Sequence, residues 1–276
     1  MDYIELSITV DPVEQGSDVL IAQLAEIGFE SFVQNSDGFK AYVQKANFNE
    51  NELKQLLSEF DSVFKIQKQI NTIEQQNWNA QWESSFEPIN VKNECIIRAP
   101  FHEKQEGIKY DIIIEPKMSF GTGHHFTTQL MIEKLMMLNI VNKSLLDMGC
   151  GTGVLAILAS FMGANVITAI DIDEWSYLNT IENAERNNVK NVLVYKGNAQ
   201  ILEKKTFNTI LANINKNVLL ADIEIYANSI EKNGDLVMSG FFETDANDII
   251  YKANKLGFEL KDKMVNNQWT LLHFKN

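Results

Sequence analysis

The pattern of apolar and polar positions along this chain predicts strands and helices throughout, in two successive orders. Over the first seventy residues the pattern predicts a strand at Tyr3–Val10, a helix at Glu14–Gly28, strands at Glu30–Asn35 and Phe39–Gln44, a helix at Asn49–Phe60 and a strand at Val63–Ile70. Gly28 ends the first helix, and Asp37-Gly38 has the composition of a tight hairpin turn. This order, βαββαβ, is that of a ferredoxin-like α+β domain occupying residues 1–70. A polar segment follows. Trp78 and Trp82 lie four residues apart within it, so a linker helix over 71–88 would carry both on one face.

The remainder, 89–276, starts with two expected strands, Ile89–Ala99 and Tyr110–Glu115, which read as a small entrance sheet within 89–119. From about residue 126 helices alternate with short apolar strands at Ser144–Met148, Val166–Asp171, Val192–Tyr195, Thr209–Ala212 and Asp235–Gly240. Such βα repetition predicts an α/β domain with a doubly wound, mostly parallel sheet. The last two strands, Phe258–Val265 and Trp269–Phe274, are joined by Asn266-Asn267 with no room for a helix, so they pair as an antiparallel hairpin.

Between the strand ending at Met148 and the helix that follows, the chain reads Asp147-Met-Gly-Cys-Gly-Thr-Gly-Val154. A dinucleotide fingerprint requires Gly-x-Gly-x-x-Gly, with the pyrophosphate at the helix N-terminus. Here the third position of that fingerprint is Val154, and the glycines are Gly149, Gly151 and Gly153. The turn therefore suits a nucleoside cofactor without a phosphate, and S-adenosyl-L-methionine fits. Gly149 and Gly151 would let the backbone approach the methionine portion. Asp171, at the end of the next strand, would accept the ribose hydroxyls, and Asn198 after the third strand is placed to contact adenine.

Composition narrows the classes. No apolar run approaches the roughly 20 residues of a bilayer span, and the acidic start Met-Asp-Tyr-Ile-Glu is unlike a secretory signal, so no membrane association is expected. Two cysteines, Cys95 and Cys150, form neither a disulfide framework nor a zinc set, which points to a reducing, cytoplasmic setting. The formal charge of −13 speaks against direct nucleic-acid binding. It is concentrated at the start. Residues 1–62 hold twelve acids against Lys40, Lys45 and Lys54, a net of −9, which is either an ordinary solvated surface or a platform for a lysine-rich partner.

The other dense segment is Phe120-Gly-Thr-Gly-His-His-Phe-Thr-Thr128, directly before a helix. Its glycines and the helix N-terminus suit a loop that closes over a carboxylate, and Thr127 or Thr128 could cap the helix. The His124-His125 pair has too few further ligands for a metal site, and none is expected.

Taken in order, Phe-Gly-Thr-Gly-His-His-x-Thr-Thr, Asp-x-Gly-Cys-Gly-Thr-Gly-Val-Leu-Ala-Ile, Asp-Ile-Asp, Asn-Ala-Glu-Arg-Asn, Ala-Asn-Ile and Ser-Gly-Phe resemble the bacterial ribosomal-protein methyltransferase family called PrmA. The resemblance covers essentially the whole chain. It departs at Phe126, where many relatives have proline. It implies a class I (Rossmann-like) methyltransferase sheet ending in an antiparallel hairpin, an N-terminal domain that recognises substrate, and methylation of lysine, and possibly N-terminal, amines of large-subunit ribosomal protein eleven. Carried onto this sequence, the family's cofactor contacts fall on Thr128, Gly149, Asp171 and Asn213, with Phe120 and His125 lining the site. Asn213 would position the accepting amine. Two alternatives stand beside this reading: the same chemistry on another protein or a small amine, and a non-catalytic cofactor-binding scaffold.

Overall fold

The computed structural model describes residues 2–73, 86–117, 121, 123–202 and 205–276. The chain divides into two compact units, residues 1–85 and 86–276. The proposed linker pair Trp78 and Trp82 lies outside the described residues.

In the first unit β1 (Tyr3–Asp11) is followed by α1 (Val13–Glu26), β2 (Ser31–Asn35), β3 (Gly38–Gln44), α2 (Glu50–Phe60) and β4 (Lys65–Ile73). The strands form an antiparallel sheet in the order β2-β3-β1-β4, the ferredoxin-like arrangement. Period-two alternation decides its inner face. Ile4, Leu6, Ile8 and Val10 of β1 are buried against Leu20 and Leu24 of α1 and Leu53, Leu56 and Leu57 of α2. Helix α1 stops two residues before the predicted end. Phe29 N–H bonds Leu24 O at 3.1 Å and Gly28 N–H bonds Ala25 O at 3.3 Å, a Schellman closure in which Gly28, at φ +94°, takes the left-handed position.

The second unit starts with β5 (Ile89–Val91), β6 (Cys95–Arg98) and β7 (Tyr110–Ile113), a three-stranded sheet in that order. The single strand expected over Ile89–Ala99 is in fact a hairpin. Lys92 and Asn93 both adopt positive φ, 56° and 57°, and Asn93 N–H bonds the Asn90 side chain at 2.9 Å. Two successive left-handed residues make the turn type that matches strand twist. Lysine gave no glycine-like signal for it.

The main sheet is built from β8 (Ser144–Met148), β9 (Val166–Asp171), β10 (Val192–Lys196), β11 (Phe207–Asn213), β12 (Ile230–Phe242), β13 (Glu259–Asn266) and β14 (Trp269–Lys275), in the order β10-β9-β8-β11-β12-β14-β13. The first five run parallel and β14 is antiparallel to both its neighbours. Strand order thus reverses between β8 and β11, where an open sheet of this kind leaves a crevice. Helices α3 (Phe126–Met137) and α4 (Val154–Phe161) cover one face, where Leu145 and Ile167 are buried. On the other face α6 (Lys216–Asn228) and α7 (Ala246–Lys255) cover Leu146, Ile170, Ile210 and Leu236. Leu145 and Leu146 are neighbours in sequence on opposite faces, as a strand buried on both sides requires.

Helix α5 (Glu174–Arg186) anchors the small sheet. Asn187, just past its end, accepts from Ile113 N–H at 2.8 Å and donates to Ile113 O at 2.6 Å, while Asn183 accepts from Glu115 N–H at 3.0 Å. The two asparagines of the Asn-Ala-Glu-Arg-Asn motif therefore act as surrogate strand partners for the β7 segment. Among the described residues no helix is long and apolar enough to cross a membrane.

Candidate active site

The site is assembled along the carboxyl ends of the parallel strands. At the end of β8 the glycine turn is fixed to β9 by two backbone bonds, Gly149 N–H and Cys150 N–H to Ile170 O, at 2.8 and 3.1 Å. From the α5 side Thr180 donates to Gly151 O at 2.9 Å and Asn183 donates to Thr152 O at 3.0 Å. The turn is thus pre-formed, held by groups on two elements, β9 and α5. Gly149 sits at φ +72°, and a Cβ there would lie 2.2 Å from Ile214 Cγ2. Gly240, at φ +99°, faces the same residue, since its Cβ would fall 2.3 Å from Ile214 O. The segment after β11 therefore passes between two glycines, one under its side chain and one against its backbone.

A cavity of about 510 Å³ opens there, within the range of small-ligand sites. Gly149, Gly151, Asp171, Asn198, Asn213 and His125 of the expected set line it. Thr128 does not; it is buried and its hydroxyl has no partner among the described residues, whereas its neighbour Thr127 reaches the cavity. Phe120 lies outside the described residues.

Each polar side chain has a definable capacity. Asp171 accepts Gly151 N–H on Oδ2 at 2.9 Å and Asp173 N–H on Oδ1 at 3.0 Å. A carboxylate offers about four lone-pair sites, so acceptor capacity remains for a vicinal diol. Asn198 Oδ1 accepts Gln200 N–H at 3.1 Å, which makes it a turn residue as well as a lining residue. Asn213 Oδ1 is buried with no partner among the described residues. A buried acceptor left in this state costs roughly 1–3 kcal/mol until a donor arrives, so a ligand N–H or O–H is what this position calls for. Beneath the turn, Asp147 accepts Ala156 N–H at 3.1 Å, and burial pushes its carboxyl up to about 7.

At the opposite end His125 caps α3. Its Nδ1 accepts Thr127 N–H at 3.3 Å, so the cap is the histidine and not either threonine, both of which fall inside the first turn. Nδ1 as acceptor assigns the ring proton to Nε2, and burial lowers the pKa, which keeps the ring neutral. The Trp269 ring meets His125 edge-on at 4.5 Å between centroids.

Sequence reasoning missed Trp269, Ile214, Gly240 and the α6 pair Val218 and Asp222, all of which line the cavity. Ser-Gly-Phe, which contains Gly240, had marked that strand end. Burial raises the Asp222 carboxyl, and a long bond at 3.5 Å from the Tyr226 hydroxyl works against this.

The spare capacity on Asp171 and the glycine cradle together fit an adenosyl ligand with an amino-acid tail. Comparison with known proteins agrees. The family described as ribosomal protein L11 methyltransferase (PrmA) matches residues 13–276. The chain belongs to that family. The protein of this name from Phocaeicola vulgatus is 42% identical over 278 residues, covering 99% of each chain. Its counterpart from Porphyromonas gingivalis is 41% identical over 95% of this chain and 91% of its own. A crystal structure of the ribosomal protein L11 methylase from Lactobacillus delbrueckii subsp. bulgaricus superposes with a TM-score of 0.65 at 26% identity, covering 68% of this chain and 98% of that one. This PrmA-family chain is accordingly a class I methyltransferase, with S-adenosyl-L-methionine as its cofactor.

Proposed function

We propose that this methyltransferase acts on lysine side-chain amines, and on the N-terminal amine, of ribosomal protein L11. The observation that carries the amine assignment is Asn213 at the end of β11, which lines the cavity and whose buried Oδ1 has no partner among the described residues. Asp171 would hold the ribose and the Gly149–Gly151 turn the methionyl end. The cofactor supplies a methyl group already activated by a positively charged sulfur, so positioning accounts for most of the catalysis. Asn213 accepts an N–H of the incoming amine and turns its lone pair toward the methyl. The Trp269 and His125 rings wall that end and limit water.

An ammonium has no lone pair, and at a reference pKa of about 10.4 the lysine must shed a proton before transfer. Entry into a cavity lined by apolar groups favours the neutral amine.

Substrate choice is assigned to the first unit. Its net of −9 over residues 1–62 complements a lysine-rich protein and would speed encounter. The test is to incubate the protein with isotopically labelled S-adenosylmethionine and unmodified ribosomal proteins, then read intact masses. Gains of one to several methyl masses on L11 alone are expected. Label on another protein retains the chemistry and overturns the target, and cofactor binding without any label overturns the enzyme reading.

A further inference from the structure

From the connectivity of the cavity, we infer that Asp222 is the group that reads the edge of the cofactor's base, accepting the exocyclic amine of adenine. The inference rests on the S-adenosylmethionine reading above and deepens it. Three steps lead to it. The strands lie in the order β10-β9-β8-β11, and the residues at their ends follow the same order: Asn198 beyond β10, Asp171 on β9, Gly149 after β8 and Asn213 on β11. With ribose at Asp171 and the methyl directed to Asn213, the base must extend the other way, over the end of β10, because ribose separates base from sulfur.

Helix α6 delivers Asp222 to that end. Leu219 and Ile223, which flank it on the helix, share a core with Ala199 and Leu202 of the short 3₁₀ turn after β10, and α6 packs against that turn. Asp222 therefore lines the cavity from the side where Asn198 enters it, remote in strand order from Trp269 on β14.

With Asp222 at the C6 position and Asn198 at N1, the chemistry of the pair matches adenine. Adenine offers a donor at its amine and an acceptor at N1. Asn198 Oδ1 accepts Gln200 N–H, and its side-chain NH₂ is the donor it can offer to N1. Asp222 supplies the carboxylate acceptor, steadied on Oδ2 by the Tyr226 hydroxyl at 3.5 Å. Hypoxanthine, with a carbonyl at C6, would set oxygen against oxygen.

The test is a calorimetric titration of the wild type and of Asp222→Asn with S-adenosylhomocysteine and S-inosylhomocysteine. The wild type should prefer the adenosyl compound by roughly ten- to hundred-fold, the value of a hydrogen bond to a charged group. Asp222→Asn should weaken the adenosyl compound and narrow the ratio, since an amide can present N–H to the C6 oxygen. The KM for S-adenosylmethionine should rise in parallel with the weakened S-adenosylhomocysteine binding. An unchanged ratio in a variant that still binds overturns the inference and leaves the methyltransferase reading standing. Failure of the wild type to bind either compound overturns both. Should Asp222→Asn not fold, the wild type is titrated with the purine analogue lacking the C6 amine; binding roughly ten-fold or more weaker than S-adenosylhomocysteine supports the inference, and equal binding overturns it.

Discussion

Asp147 is 1% exposed beneath the glycine turn, and its replacement by asparagine gives a prediction whose sign is easily mistaken. Burial pushes its carboxyl from an ordinary 3.8 to about 7; the Ala156 N–H opposes this and the charge of Asp171 adds to it. The folded protein thus keeps a proton that the unfolded chain has lost between those two values. Where the native state binds more protons, stability falls as pH rises. The cost of Asp147 is therefore absent below about pH 4, grows toward 7 and is complete above it. At roughly 1.4 kcal/mol per pH unit across that gap, the full cost is about 4 kcal/mol. Asp147→Asn keeps an acceptor for Ala156 N–H and cannot ionise. Urea denaturation of both proteins at pH 4.5, 6 and 8, with m compared so that stepwise unfolding is recognised, should show the variant gaining on the wild type by about 3 kcal/mol from lowest to highest pH. A difference that is flat across the series, or that grows in the opposite direction, would refute a buried carboxyl titrating near neutrality.

Three further outcomes follow from the geometry. Gly149→Ala meets a left-handed φ and a Cβ 2.2 Å from Ile214 Cγ2, so Tm should fall and S-adenosylhomocysteine should bind at least about ten-fold more weakly; adding Ile214→Ala should restore part of the affinity, and no recovery would locate the fault in the backbone alone. Asn213→Ala should lower kcat far more than it weakens S-adenosylhomocysteine in a direct titration, and equal losses in both would remove the amide from the transfer end. Asn187→Ala strips both surrogate bonds from Ile113 and should cost about 1–3 kcal/mol, with faster amide exchange at Ile113; unchanged exchange would mean that the small sheet is held elsewhere.

Much of the fold is written in periodicity. The order βαββαβ followed by βα repeats was legible in the apolar pattern, and the Gly-x-Gly-x-Gly turn marked the end of β8 because only glycine tolerates both the left-handed φ and the contact with Ile214. The hairpin at Lys92-Asn93 was not legible, since its left-handed residues are not glycines. The cap of α3 was misplaced for a related reason. Histidine is not among the usual capping side chains, yet the extended backbone at His125 aims Nδ1 at Thr127 N–H and leaves both threonines inside the helix. Asp222 was hidden differently. It lies seven residues past Asn215 on one face of α6, two turns away from any strand end, and only the packing of that helix on the turn after β10 carries it to the cavity.

Trp269 shows why a rule that looks just past strand ends is incomplete for this sheet. In a parallel sheet every strand delivers its last residues to the ligand edge, so a search there finds Asp171, Asn198 and Asn213. An antiparallel strand delivers its first. β14 begins at Trp269, which pairs with Phe242 at the end of β12, and this sets the indole at the same edge as the parallel strand ends. The hairpin turn just before it, Asn267-Gln268 with φ of 46° and 69°, closes in two residues, so it fixes where β14 starts and hence where the indole stands. A longer turn would free that register. The terminal hairpin thus does more than finish the sheet: by reversing one strand it brings an aromatic wall to the edge where the parallel strands can offer only turns and helix starts.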